Sequence, residues 1–216
     1  MNYDQAKIFR VIATLGLISV AWLGGANPAF AECRKEPSAL CQGVKLDRID
    51  WRGASLDGAN FQNADLEHAN FAGASLRGAD LRGANLQQAR FERADLTGAN
   101  LEGADLRWAN LENSNLVKAR FANAQMSKSD LENADLSQAV LTGADLTRAD
   151  LVSADLQQSD LQRVRLDGAY MNYANLKQAN LTGASVNRTR LIGARLKDAI
   201  WIDGKTCKAP SIGVCK

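Results

Sequence analysis

The sequence has little of what catalysis usually needs. Its 216 residues contain one histidine, His68, with no serine, cysteine or second histidine arranged around it as a catalytic set. It also has no phosphate-binding glycine loop and no metal-binding cluster. These absences argue against an enzyme, and we expect neither a cofactor nor a metal.

Neither basic nor acidic residues are in large excess. The chain has 26 basic and 24 acidic residues, a formal net charge of +2. A chain this close to neutral has no long-range attraction for nucleic acid or for a charged membrane surface. We therefore expect no nucleic-acid partner.

The one long apolar run is too short for a comfortable membrane span. Val11 to Gly25 follows a short basic lead and precedes Ala29-Phe30-Ala31. This order is typical of a secretory signal peptide with a small-residue cleavage site. We predict a signal peptide over 1–31, a mature start at Glu32 and no stable membrane anchor after cleavage. An uncleaved anchor is the alternative, which the length of the run disfavours.

Five-residue units dominate the rest of the chain. Thirty-two of them span 44–203, and every fifth residue from Leu46 to Trp201 is Leu, Phe, Met, Trp or Val. The residue two positions earlier is nearly always alanine. Ala64-Asp65-Leu66-Glu67-His68 is a representative unit.

A period of five fits neither a helix nor a flat strand. On a helix each unit would rotate the large residue by about 140°, and on a strand an odd period would reverse its face. A short extended piece followed by a corner fits the pattern, with the alanine and the large residue inside and the Asp or Asn outside. Glycine and asparagine at many unit ends are residues that tight corners tolerate.

These units resemble the pentapeptide repeat family, whose motif is A(D/N)LXX. The resemblance implies an all-β fold, a right-handed quadrilateral β-helix of about eight coils over 44–203. Some family members resemble a DNA duplex and protect topoisomerases through a strongly acidic surface; the near-neutral charge and the leader make this the weaker alternative here. Exported cyanobacterial members imply a location in the thylakoid lumen or the periplasm.

All four cysteines lie outside the repeats, in an N-terminal cap over 32–43 and a C-terminal cap over 204–216. Eight coils about 4.8 Å apart separate the two ends by roughly 35–40 Å, whereas a disulfide joins Cα atoms about 6 Å apart. We therefore predict Cys33–Cys41 and Cys207–Cys215. Pro37 is interpreted as a helix start in the first cap, and Trp201 as an apolar seal for the last coil.

Residues 20 apart should stack, which predicts ladders inside and columns outside. Two of the inner ladders run from Trp51 to Leu191 and from Phe61 to Trp201. Polar or branched residues at small inner positions, such as Ser114, are interpreted as packing variation, because a hydroxyl can bond nearby backbone.

Two outer columns are charged. The first, the basic stripe, is a candidate docking site for an acidic partner or polyanion, although a solvated polar corner is the simpler interpretation. Its members are Arg48, His68, Trp108, Lys128, Arg148 and Arg188, with Gln88 and Gly168 between them. The second contains Glu92, Glu112 and Glu132, whose crowding could attract a cation. Arg90 and Arg93 nearby favour a solvated ladder instead.

An exposed apolar patch is the best candidate for a protein contact. Val152, Tyr170, Tyr173 and Ile192 should lie together on a surface that is otherwise mostly polar. The sequence thus predicts an exported, non-enzymatic scaffold or protein-interaction module, a monomer or weak dimer whose partner the sequence does not identify.

Overall fold

The computed structural model describes residues 33–216, so the predicted leader and Glu32 lie outside the described residues. Within 33–216 there is no helix and no strand longer than a single-residue β-bridge. Parallel bridges join each outward residue to the one 20 positions later, from Leu40 with Asn60 to Asn180 with Ile200. Bridges recur every five residues, so each 20-residue turn of the chain has four sides.

The unit Ala99 to Gly103 satisfies all five of its backbone N–H groups. Asn100 donates to the coil before it, while Leu101 and Gly103 donate to the coil after it, at 2.7–2.9 Å. Ala99 closes a turn onto Leu96 O at 2.9 Å. The fifth group, Glu102 N, donates to the side chain of Asn100 at 3.1 Å. The Asp or Asn of the motif therefore completes the backbone hydrogen bonding.

The corners require a left-handed backbone. Every fifth residue from Ser38 to Asp198 has a positive φ between 54° and 72°. It occupies the third position of a four-residue turn, where a positive φ is characteristic of type II. Only glycine adopts this conformation without strain, yet most of these corner residues are not glycine.

The core is a stack of buried ladders. From Phe61 to Leu181 every large inward residue is at most 1% exposed. Phe71 and Phe91, one coil apart, stack with ring centroids 5.2 Å apart and an interplanar angle of 11°. The hydroxyl of Ser114 donates to Leu111 O at 2.6 Å, in accord with the expected bonding of such residues to the backbone.

The N-terminal cap differs from its prediction. Residues 37 and 38 form a turn rather than the start of a helix. Ala39 and Cys41 are buried at the alanine and leucine positions of a unit, and Leu40 makes the first bridge. The coil therefore begins before Val44, and the predicted boundary at residue 44 lies too late in the chain.

The C-terminal cap, 204–216, folds back over the last coil and is called the C-terminal segment below. Antiparallel bridges join Ile212 to Arg195 and Thr206 to Ile200, while Trp201 is half-buried against the core. The sulfur atoms are 2.02 Å apart in the pair Cys33–Cys41 and 2.08 Å apart in Cys207–Cys215. Both distances are those of a disulfide. Across 33–216 no helix is long and apolar enough to cross a membrane.

Candidate functional site

The basic stripe follows one corner of the solenoid. Its members occupy the positive-φ position of successive coils, so their side chains leave the backbone in equivalent directions. Trp108 is 56% exposed, and Lys128 Nζ lies 4.0 Å from the centre of its ring, a cation–π contact. His68 is half-buried, with Nε2 3.5 Å from Glu67 Oε1.

This corner carries more backbone strain than a glycine-rich corner would. Of the eight residues in this corner column from Arg48 to Arg188, only Gly168 is a glycine, and none is asparagine. A side chain at positive φ costs roughly 1–2 kcal/mol. The chain thus keeps large, mostly basic side chains here at a cost in stability.

Two glutamates of the second column, Glu92 and Glu112, accept hydrogen bonds from neighbouring side chains. Arg90 Nε and Asn110 Nδ2 donate to Glu92 Oε1 at 2.9 Å and 3.3 Å, and Asn113 Nδ2 donates to Glu112 Oε1 at 2.8 Å. Among the described residues no group of three or more His, Cys, Asp or Glu side chains is placed to hold a metal ion.

Several outward aspartates combine a turn hydrogen bond with an ion pair. The Arg82 guanidinium donates to both oxygens of Asp80, at 2.9 Å and 2.6 Å. This charged hydrogen bond is the main reason why the pKa of Asp80 falls to about 2. The pKa of Asp50 is lowered in the same way by Arg52.

The apolar patch differs in composition from its prediction. Tyr170, Tyr173 and Ile192 are 38%, 62% and 67% exposed, whereas Val152 is half-buried and contributes less surface than expected. The ring of Tyr173 covers Gly193, where a Cβ atom would lie 2.5 Å from Tyr173 Cδ1. The Arg190 guanidinium lies 4.9 Å from the ring centre of Tyr170.

Two further members come from the C-terminal segment. Ile212 and Val214 are 62% and 54% exposed and line a shared groove with Ile192. The repeat register could not reveal them, because they lie outside the repeats and reach this face only through the antiparallel fold-back. We use the name C-terminal patch for Tyr170, Tyr173, Ile192, Ile212 and Val214.

The fold and these surfaces define a β-solenoid of five-residue units that displays side chains on open faces. A comparison with known families matches Pentapeptide repeats in eight copies, over 38–73, 74–113, 104–143, 124–163 and 159–198. The chain belongs to this family, whose members are generally non-enzymatic structural or interaction proteins. A search of curated proteins found no match.

Solved structures resemble the chain to different extents. QnrB1, a plasmid-mediated fluoroquinolone resistance protein, is 21% identical over 80% of this chain and 86% of its own, with a TM-score of 0.52; this likeness shows the fold, a right-handed β-helix. HetL, involved in heterocyst differentiation regulation in the cyanobacterium Nostoc sp. strain PCC 7120, is 33% identical over 76% of this chain and 85% of its own (TM-score 0.31). A thylakoid lumen protein of Arabidopsis thaliana is 28% identical over 55% of this chain and 69% of its own (TM-score 0.19).

Proposed function

We propose that this protein is an exported, non-enzymatic interaction module that binds a partner protein through the C-terminal patch. The observation that carries the proposal is the grouping of five exposed large apolar side chains at one end of the solenoid. Such a grouping on a mostly polar surface is typical of a protein contact. Tyrosine in particular supplies much contact area at low entropic cost.

Export to the thylakoid lumen or the periplasm is part of the proposal. The leader over 1–31 supports it, as does the cysteine arrangement. Both cysteine pairs are close enough for disulfides, and no described cysteine is left free. Disulfides persist in oxidising compartments and are rare in reducing ones.

Replacing both tyrosines tests the contact. Tyr170→Ser with Tyr173→Ser should abolish capture of the partner from lumenal or periplasmic extract, because it removes two of the largest exposed apolar side chains. The free energy of unfolding should change by no more than about 0.5 kcal/mol, as is usual for surface changes.

A matched control comes from another corner. Gln138→Ser with Gln158→Ser alters two corner residues of equal backbone conformation and should leave capture unchanged. The proposal is wrong if the tyrosine variant retains every partner and the same oligomeric state by light scattering.

The basic stripe is a second candidate, for an acidic partner or a polyanion. The strain retained at this corner supports it, since strained backbone often marks a functional position. Binding there should weaken as salt rises and should depend on Trp108, whereas binding at the C-terminal patch should depend on Tyr170 and Tyr173. A DNA-mimic role has the least support, because removal of residues 1–31 leaves a net charge of +1.

A further inference from the structure

The C-terminal segment covers only part of the last coil. It forms antiparallel pairs with the coil on two sides. On the side at Arg195, Leu196 N donates to Ser211 O and Gly213 N donates to Ala194 O, both at 2.9 Å. The side at Ile200 is paired in the same way with Thr206. This segment thus shows how a strand fits the end of this solenoid.

The side centred on Arg190 has the same donor and acceptor without a partner. Among the described residues, Leu191 N donates no hydrogen bond and Thr189 O accepts none. Leu191 is only half-buried, unlike the equivalent residues of earlier coils. This side is therefore an open sheet edge, which is a template for strand addition.

A groove runs along this open edge. One wall is formed by 189–193, and the other by Ile212, Gly213 and Val214 of the C-terminal segment. The exposed side chains of Ile192, Ile212 and Val214 make its rim apolar. The groove can thus receive an extended segment and contact it from both sides.

The positive charge of this open edge favours an acidic partner segment. The stretch 184–193 contains Arg188 and Arg190 and no acidic residue. Both arginines are exposed, and neither takes part in an ion pair within 33–216. A second copy of this chain docked through this same end would bring these arginines together, whereas an acidic strand would neutralise them.

We propose that this groove binds an extended acidic segment of a partner protein, added as an antiparallel strand opposite Arg190. The residue opposite Arg190 is acidic and points outward, and its two neighbours are apolar and point inward. The C-terminal segment alternates in this way, with Ser211 buried and Ile212 exposed. This inference rests on the proposed interaction function and specifies how the partner is recognised.

The test is a titration of the ¹⁵N-labelled protein with acetyl-Thr-Val-Glu-Val-Thr-amide, followed by amide chemical shifts. The amides of Val186, Arg188 and Leu191 should shift in a saturable manner. Methylating the backbone nitrogen of the second peptide valine, which would donate to Thr189 O, should weaken binding about fivefold. Lysine in place of the peptide glutamate should weaken it about threefold or more.

Arg190→Glu gives the reciprocal test without disturbing the core. It should reverse the preference, so that the lysine peptide binds better than the glutamate peptide. The absence of any shift over 186–193 at several millimolar peptide would overturn the proposal. Concentration-dependent shifts of these amides without peptide would also overturn it, because a second copy would then occupy the edge.

The two proposals can fail separately. Tyr170→Ser with Tyr173→Ser leaves Leu191 N and Thr189 O in place, so the peptide should still shift the edge amides. Loss of partner capture together with retained peptide shifts would uphold both the C-terminal patch and the strand site. Retained capture with retained peptide shifts would reject the patch alone.

Discussion

At the scale of single residues, the Asp or Asn of each unit serves its own backbone. Its side-chain oxygen accepts a hydrogen bond from the N–H of the fourth residue of the unit, which has no backbone acceptor in a neighbouring coil. Ser137 N, for example, donates to Asp135 Oδ1 at 2.9 Å. Where this residue is absent, a neighbouring coil can substitute: Arg77 N donates to Asp57 Oδ1 at 3.0 Å, because Ser75 stands at the motif position. The Asp or Asn of the motif thus reflects the need of this backbone N–H for an acceptor.

Asp135→Ala should lower the free energy of unfolding by about 1 kcal/mol, because Ser137 N loses its acceptor. Asp135→Asn keeps the acceptor and should stay within about 0.5 kcal/mol of the wild type. Chemical denaturation measures both.

Adding an acceptor to a unit that lacks one should have the opposite effect on stability. Val140 occupies the same position in its unit, and Thr142 N donates no hydrogen bond among the described residues. Val140→Asn should supply the acceptor and raise stability. Equal losses for Asp135→Ala and Asp135→Asn would contradict the interpretation.

The pH dependence follows from the lowered pKa of Asp80. Ion pairing with Arg82 holds this pKa at about 2, below the ordinary 3.8. Stabilisation by the ionised carboxylate is therefore complete above about pH 4 and is lost as the pH falls toward 2. Asp80→Asn should be slightly less stable than the wild type at pH 6, and the difference should be much smaller at about pH 2, where roughly half of the folded molecules carry a protonated Asp80. A difference as large at pH 2 as at pH 6 would mean that the charge is not its cause.

At the scale of the five-residue element, a corner residue other than glycine strains the backbone but places a side chain on the surface. Gly98 has φ 67°, and a Cβ atom there would meet nothing within 4 Å. Lys118, one coil later in the same column, has φ 59°. The two positions share a conformation and differ in whether a side chain is present.

Gly98→Ala should destabilise the protein by about 1 kcal/mol although space is available, because alanine is strained at positive φ. Lys118→Gly should stabilise it by about 0.5 kcal/mol, since relief of strain exceeds the entropy cost of glycine. Thermal denaturation under identical buffer conditions compares them. If both variants lost stability equally, the backbone conformation would not be the determining factor.

At the scale of the whole molecule, the solenoid holds its two ends far apart. Because residues 20 apart stack, Cys41 and Cys207 are separated by about eight steps of roughly 4.8 Å. Each cysteine pair can therefore close only its own end. Each disulfide would close a loop with a sequence separation of 8. Closing a loop of that length stabilises the folded protein by about 2.5 kcal/mol.

Mass spectrometry of the exported protein tests both its processing and its cysteine pairing. The mature chain should begin at Glu32. Non-reducing peptide maps should contain Cys33–Cys41 and Cys207–Cys215. Retention of 1–31, or a Cys33–Cys207 peptide from verified monomer, would contradict this prediction.

The sequence by itself determined the repeat and its register, because a five-residue period with a large inward residue satisfies the backbone and the core together at every step. It also placed Tyr170, Tyr173 and Ile192 on one face. It could not place Ile212 and Val214, which follow no repeat, nor the unpaired edge at Arg190. Those depend on where the last residues fold back, and the tertiary structure decided this through antiparallel pairing with only part of the final coil.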